Sequence, residues 1–322
     1  MTKAILGIDV SKQKFDATLL FADNKVRKKV FSNDPVGFHK LLEWIHQLHE
    51  GDFHACMEFT GVYDERVAEF LYHKGFIVSR VNAMVIKAFA KSLLTRTKTD
   101  KKDSMVIAQF CKVHQPKAWE PDPLHIKVLR DFSRTLDALK DDYYLIKNRL
   151  EKYEERESPA KKIWQDRLLD VEKVIKDVEK QMNIHIKNHP DLEKKMKLLQ
   201  TISGIGETSA RTLLAEIPNI HYFKNARQLA AFAGLTPCQR QSGSSVNGQS
   251  RLSKMGSSRL RKALFMPALV AKKHNPTIIA FSRNLIKKGK CKMAVVGAAM
   301  RKLLHIVFGV LKHESPFVEK FA

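Results

Sequence analysis

The feature that most limits how this chain can fold is a pair of long helical patterns in its middle. Over residues 124–153 apolar side chains recur at steps of three and four (Val128, Phe132, Leu136, Leu139, Tyr143, Ile146, Leu150), the spacing that lines one helix face. Glu157-Ser158-Pro159 breaks the pattern, and a second charged helix runs on to about Lys187. Helices of about 30 residues are about 45 Å long, too long and too charged for a globular interior. They predict an antiparallel coiled-coil hairpin over residues 124–190, an element that joins domains or protomers. One folding unit is then expected on each side, over 1–118 and 191–322.

The first unit reads as mixed α/β. KAILGIDV (3–10), KFDATLLF (14–21) and KVRKKVFS (25–32) are three short strands joined by tight polar turns. Asp34-Pro35 supplies an N-cap and a first-turn proline for a helix reaching about His49. FHACMEFT (53–60) is a buried strand, 61–74 a helix, and FIVSRV (76–81) another strand. Helical residues 83–94 follow, then a helix starting near Asp100, and Pro116, Pro121 and Pro123 mark a linker. Three antiparallel strands and then alternating helix and strand is the order of a ribonuclease-H-like α/β domain. Unrelated α/β folds share that order, so function has to be argued from the site.

Charge narrows the partners. The 322 residues hold 57 Lys and Arg against 34 Asp and Glu, a net charge of +23 and a pI near 9.8, which points to a polyanion, above all nucleic acid. Residues 217–313 contain 18 Lys and Arg and no acid. A surface without internal counter-charge repels itself unless phosphates approach. The remainder of that half, 191–322, carries several helix patterns, a Ser/Gly/Gln-rich stretch at 239–250 and no convincing strand, so a mostly α-helical basic domain is expected. Cys56, Cys111, Cys238 and Cys291 are far apart with no CxxC spacing, so neither a zinc knuckle nor a disulfide framework is indicated, and a reduced cytoplasm fits. Asp9 interrupts the apolar run of MTKAILGID, so it is not read as a signal peptide. Residues 293–312 are apolar, but Arg301, Lys302 and His305 lie among them. A buried core helix is expected there, and no membrane partner. His185 and His189 have ligand spacing but no companion motif, and read as the exposed end of a helix.

Four carboxylates carry the chemistry. Asp9 sits late in the first strand among apolar neighbours, where an acid is disfavoured unless something pairs with it. Glu58, in CMEFTG, holds the matching place in the fourth strand. In TKTDKKDS, Asp100 and Asp103 are three residues apart, on one face of a starting helix. Alone, they read as first-turn acids that complement a helix dipole. In a ribonuclease-H-like fold all four meet at one edge, where like charges need cations. Mg²⁺, with Mn²⁺ as a substitute, suits such hard oxygen ligands, and a two-ion site would activate phosphoryl transfer. Lys98, Lys101 and Lys102 would lie along phosphate.

In the basic half, Gly204 and Gly206 precede a helix in TISGIGETSARTLLAEI. They read either as a helix-hairpin-helix that offers amides to a phosphate or as a plain turn. LTPCQRQSGSSVNG (235–248) is a polar loop with Arg240, Ser242, Ser244 and Ser245; Lys254 follows, then Ser257 caps a helix bearing Arg259, Arg261 and Lys262. A serine nucleophile needs a base or a metal. None stands near this loop in sequence, so activation would have to come from the first unit.

GIDVSK with Asp9, MEFTG with Glu58 and KTDKKDS with Asp100 and Asp103 resemble the DEDD tetrad of the transposases of insertion-sequence family 110. ISGIG, GLTPCQRQSG and KMGSSRLRKAL resemble that family's second domain. The resemblance implies a first domain related to RuvC-type resolvases and a tetrad that holds magnesium. It also implies that Ser242, in the P-x-x-x-x-S-G arrangement from Pro237, attacks DNA phosphorus. Family members assemble as dimers or tetramers through the coiled coil and pair the tetrad of one protomer with the serine of another; some use a bridge RNA that pairs with donor and target DNA. Such pairing would supply sequence specificity to a basic protein without base-reading motifs. Ser244 and Ser245 lie where the family more often has glycine or basic residues, so the choice of Ser242 rests on spacing. The competing readings are a RuvC-like nuclease that never uses Ser242, an actin-like kinase or ATPase, and a non-catalytic packaging protein.

Overall fold

A computed structural model describes residues 4–61, 63–93, 100–153, 158–242 and 246–318, without the side chains of 100–102, 240–242 and 246–250. Lys98 lies outside the described residues. The chain divides into two compact units, Met1–Pro121 and Asp122–Ala322.

The first unit is built on a five-stranded sheet of order β3-β2-β1-β4-β5. β1 (Ala4–Val10), β2 (Lys14–Leu20) and β3 (Val26–Ser32) form the antiparallel meander expected from three strand patterns joined by tight turns. β4 (Phe53–Phe59) adds in parallel to β1, and β5 (Ile77–Asn82) in parallel to β4. α1 (Pro35–Leu48) starts where Asp34 accepts the Gly37 amide at 2.8 Å, with Pro35 in the first turn. α1 and α2 (Tyr63–His73) cover one face of the sheet and bury Phe15, Phe38, Leu41, Ile45 and Leu71. α3 (Ala83–Ser92) and α4 (Asp100–His114) cover the other, over Cys56, Val81, Ile107 and Cys111. The arrangement is the strand order expected of a ribonuclease-H-like domain.

Beyond α4 the chain stays with this unit: the Trp119 amide donates to Val78 O at 2.7 Å. The Arg80 guanidinium sits 4.7 Å from the Phe59 ring and 4.9 Å from that of Trp119, and pairs with buried Asp64 at 2.6 Å. Asp64 also accepts from the Thr60 amide and hydroxyl, both at 3.2 Å, so the desolvated carboxylate has its partners.

The second unit begins with α5 (Leu124–Glu151) and α6 (Pro159–Lys187), the latter capped by Ser158. They pack antiparallel: Arg149 stacks on Trp164 at 4.7 Å, Lys140 pairs with Glu179 at 3.1 Å, and Phe132 lies 5.9 Å from His185. At the inner end Leu129, Leu136, Met182 and Ile186 enter the core of the unit, whereas Tyr144, Leu145, Ile163, Leu169 and Val174 are exposed. The rest comprises α7 (Pro190–Gln200), α8 (Glu207–Glu216), α9 (Ala226–Phe232), β6 (Pro237–Ser242), β7 (Val246–Leu252), α10 (Ser258–His274), α11 (Pro276–Lys287) and α12 (Lys292–His313). α12 is long and apolar enough to cross a membrane, but it is mostly buried, with Val295, Ala299, Leu303 and Val307 in the core. It is the core helix expected from the sequence.

Three expectations are corrected. The stretch read as a polar loop without strands is an antiparallel hairpin, β6 with β7. Its ladder is made of backbone groups, so strands as polar as CQRQS need no apolar alternation to form. His185 and His189 are not an exposed helix end. They are half-buried against His125, with ring centroids 4.5–5.1 Å apart, and the His185 Nε2–H donates to His125 O at 2.8 Å. Nor does the acid-free stretch lack counter-charge, because α5 supplies it: Asp137 meets Arg259 at 3.3 Å and Asp141 meets Lys262 at 3.5 Å. Such solvated pairs contribute no more than about 1 kcal/mol each, yet they occupy two cations expected to face phosphate.

Candidate carboxylate site and serine hairpin

Strand register decides where the acids lie. β1 and β4 run parallel with Ile8 opposite Met57, so the next residues, Asp9 and Glu58, are neighbours at the C-terminal ends of adjacent strands. Both are half-buried. Directly paired residues share a face and alternate residues return to it, so Asp9 lies on the face of Gly7, and Glu58 on that of Cys56.

That face belongs to α4. Ser104, itself buried, meets the hydroxyl of Thr18 at 2.8 Å, and Thr18 pairs with Gly7. Lys112 reaches Asn24, in the β2–β3 turn, at 2.6 Å. α4 therefore runs opposite to β1, and its first turn arrives over the end that carries Asp9 and Glu58. Asp103 is half-buried in that turn, and residue 100 stands one helical turn before Ser104. The elements that carry the four predicted acids thus converge on one edge. The Asp100 side chain is outside the description, and among the described residues no three His, Cys, Asp or Glu side chains are already set around a metal position.

Gly7 makes this approach possible. A Cβ there would lie 2.5 Å from Ala108 N and closer still to Ser104 O, both backbone atoms of α4. Gly7→Ala is expected to push the helix off the sheet and to destabilise the protein by about 1–3 kcal/mol. A thermal unfolding midpoint equal to that of the unsubstituted protein would contradict so tight a contact.

Sequence reasoning missed Asp16. The antiparallel register sets it directly opposite Asp9, on the α4 face, and it is buried. Its signal was the alternation in KFDATLL, which puts Asp16 and Thr18 on one face and Phe15, Ala17 and Leu19 on the other. Below it, the Cys56 thiol is pushed well up by its hydrogen bond with Cys111 and by burial, and stays protonated.

In the second unit Ser242 ends β6, opposite Val246, after a register irregularity between Cys238 and Arg240. Ser244 and Ser245 are outside the described residues. Gly204 has a φ of +106°, and a Cβ there would lie 2.8 Å from that of Ala271, so its absence of a side chain serves the packing of α10. Gly206 is the exposed N-cap of α8 with open space around it, free to present amides. Ser257 caps α10 by accepting from Leu260 N at 3.2 Å. Arg261 is engaged within the fold, its Nη1 donating to Ala233 O at 3.0 Å and Gly256 O at 3.1 Å. Of the expected phosphate-facing cations here whose side chains are described, Lys254 is exposed, while Arg259 and Lys262 carry the α5 pairs.

Residues 196–283 match the family described as Transposase IS116/IS110/IS902, and residues 6–153 match the DEDD transposases of the IS110 type. The pilin gene-inverting protein of Moraxella bovis is 34% identical over 324 residues, spanning 98% of both chains. The chain is an IS110-family transposase. The IS1111A transposase of Coxiella burnetii is 36% identical over 76 residues, 24% of this chain and 20% of that one. Among solved structures, T. thermophilus RuvC in complex with a Holliday junction substrate aligns with 37% of the transposase and all of its own chain. Identity is 12% and the TM-score 0.27, too low to bear on the fold. Family membership makes the transposase an enzyme that cuts and rejoins DNA, and its DEDD domain is of a divalent-metal-dependent kind.

Proposed function

We propose that this transposase excises and inserts its own element by way of a phosphoserine–DNA intermediate, guided by a bridge RNA. The observation that carries the reading is the strand register that sets Asp9 beside Glu58 under the first turn of α4. The donor set fits a hard divalent cation, since Asp9, Glu58, Asp100 and Asp103 offer only carboxylate oxygens, with Asp16 adding charge beside them. Mg²⁺, or Mn²⁺ in its place, would supply charge stabilisation at phosphorus and help deprotonate an attacking oxygen. Ser242 Oγ gives up its proton and attacks the phosphodiester, forming a serine–phosphorus bond. The displaced deoxyribose oxygen takes up a proton and leaves as a hydroxyl. Attack by a hydroxyl of another strand end reverses the step, so the energy of the broken bond is kept and no external energy source is needed.

Lys101, Lys102, Arg240, Lys254 and the Gly206 amide would hold nucleic-acid backbone, and Lys98 belongs with them by sequence. The exposed apolar residues of α5 and α6 support assembly of two or four protomers through that hairpin, a tetrad and a serine coming from different copies. The relatives named as pilin gene-inverting proteins favour a second reading, in which the same cuts are rejoined as an inversion.

The test uses purified full-length protein, its flanking RNA, Mg²⁺ and plasmids with two junction sites in direct or inverted order. Rejoined product is expected only with RNA present; chelation should abolish it and Mg²⁺ or Mn²⁺ restore it. Rejoining without RNA would remove the guide from this account. Cleavage indifferent to chelation would remove the metal. The ratio of excised to inverted product chooses between the two readings.

A further inference from the structure

α12 carries a group of cations that the serine chemistry does not use. Arg301 and His305 are one helical turn apart and Lys302 lies beside them, all half-buried. Arg301 Nε and His305 Nε2 are shut off from solvent and have no hydrogen-bond partner among the described residues. Buried polar atoms ordinarily have one, and each that does not asks for an explanation. A side chain that lays its methylenes on the core and its head in water would account for Lys302. It does not account for two shielded nitrogens.

Among the described residues no carboxylate pairs with Arg301, Lys302 or His305, and the charges that reach the imidazole are all positive. Residues 217–313 contain no acid. Four acids from outside the stretch pair with other cations: Asp137 with Arg259, Asp141 with Lys262, Glu216 with Arg134 and Glu314 with Lys194. Arg227, exposed on α9, which packs against α12, adds a further positive charge that reaches His305. Burial and the charges of Arg301, Lys302 and Arg227 hold the His305 imidazole below its usual range, as expected for a ring in a positive field without an anion.

We propose that Arg301, Lys302 and His305 of α12, with Arg227 of α9, form a site for a phosphodiester of bound nucleic acid. The inference rests on the reading of the chain as a nucleic-acid recombinase and adds to it a contact made by neither the tetrad nor the serine hairpin. The two shielded nitrogens lie below the surface; a phosphate oxygen would meet the exposed parts of Arg301 and Lys302 together with Arg227 and supply counter-charge to the group, a role that suits the planar fork of an arginine. DNA and RNA offer the same group, so both are tested.

Full-length protein is titrated into a short fluorescent DNA duplex and, separately, a structured RNA over a series of salt concentrations. Arg301→Gln is expected to weaken binding about tenfold and to lower the salt slope by about one, while Arg301→Lys keeps the slope. A loss confined to the duplex assigns the site to DNA, and one confined to the RNA assigns it to RNA; either supports the proposal. Arg227→Gln changes an exposed residue and gives the same reading if Arg301→Gln does not fold. If Arg227→Gln and every folded Arg301 variant bind both probes with unchanged affinity and slope, the proposal is overturned and the recombinase reading stands. If the unsubstituted protein binds neither probe, both are overturned.

Discussion

Asp9→Asn is expected to lower DNA strand cleavage by about three orders of magnitude while leaving the protein folded. The amide keeps the shape of the carboxylate and removes its charge, so packing around β1 is preserved and a hard cation loses a ligand. A bound cation supplies several kcal/mol of stabilisation at phosphorus, and each 1.36 kcal/mol of lost stabilisation is about tenfold in rate. Glu58→Gln should behave alike, because register makes the two residues neighbours. Their effects should not add, since one coordination shell is spoiled either way. Thermal unfolding provides the internal control. Because the amide keeps the shape of the carboxylate, the midpoint of Asp9→Asn should stay within about 3 °C of that of the unsubstituted protein. Cleavage within tenfold of the unsubstituted rate would remove Asp9 from the site.

Ser242→Ala is expected to abolish covalent attachment of protein to DNA and to cut rejoining by about four orders of magnitude or more, the scale on which loss of a nucleophile acts. The readout is a denaturing gel with labelled junction DNA, which retains a serine–phosphorus bond and releases everything held without one. Three outcomes carry different meanings. An adduct lost in both Ser242→Ala and Asp9→Asn supports a composite serine–carboxylate mechanism. An adduct that survives Ser242→Ala but not Ser244→Ala or Ser245→Ala moves the nucleophile along the hairpin. Cleavage that needs Asp9, yet never yields an adduct in any protein, leaves a structure-specific nuclease acting through water.

The parts of this fold legible in the sequence were those written in local periodicity. Strand alternation, the Asp34-Pro35 start and the Ser158 and Ser257 caps each put their signal within a few residues, and the structure places those elements within a residue or two. The nearness of Asp9 to Glu58 was legible only through the ribonuclease-H-like strand order, which makes β1 and β4 neighbours. What escaped needed partners distant in sequence. β6 and β7 lack apolar alternation, Asp16 became Asp9's neighbour only through register, and the acids that answer Arg259 and Lys262 stand more than a hundred residues earlier, on α5. The histidines misled for the same reason, since the partner of His185 and His189 is His125, at the start of another helix.

The hairpin of β6 and β7 is anchored at its base. Leu252 closes its base and packs within reach of Gly297 on α12, whereas Ser242 stands at the far end of a ladder only two strands wide. A ribbon of two strands has little stability of its own in water, so β6 and β7 depend on what they pack against. In the proposed reaction, Ser242 would be aligned by the nucleic acid or neighbouring protomer that completes its surroundings, so a lone copy meeting stray DNA would be poorly equipped to cut it.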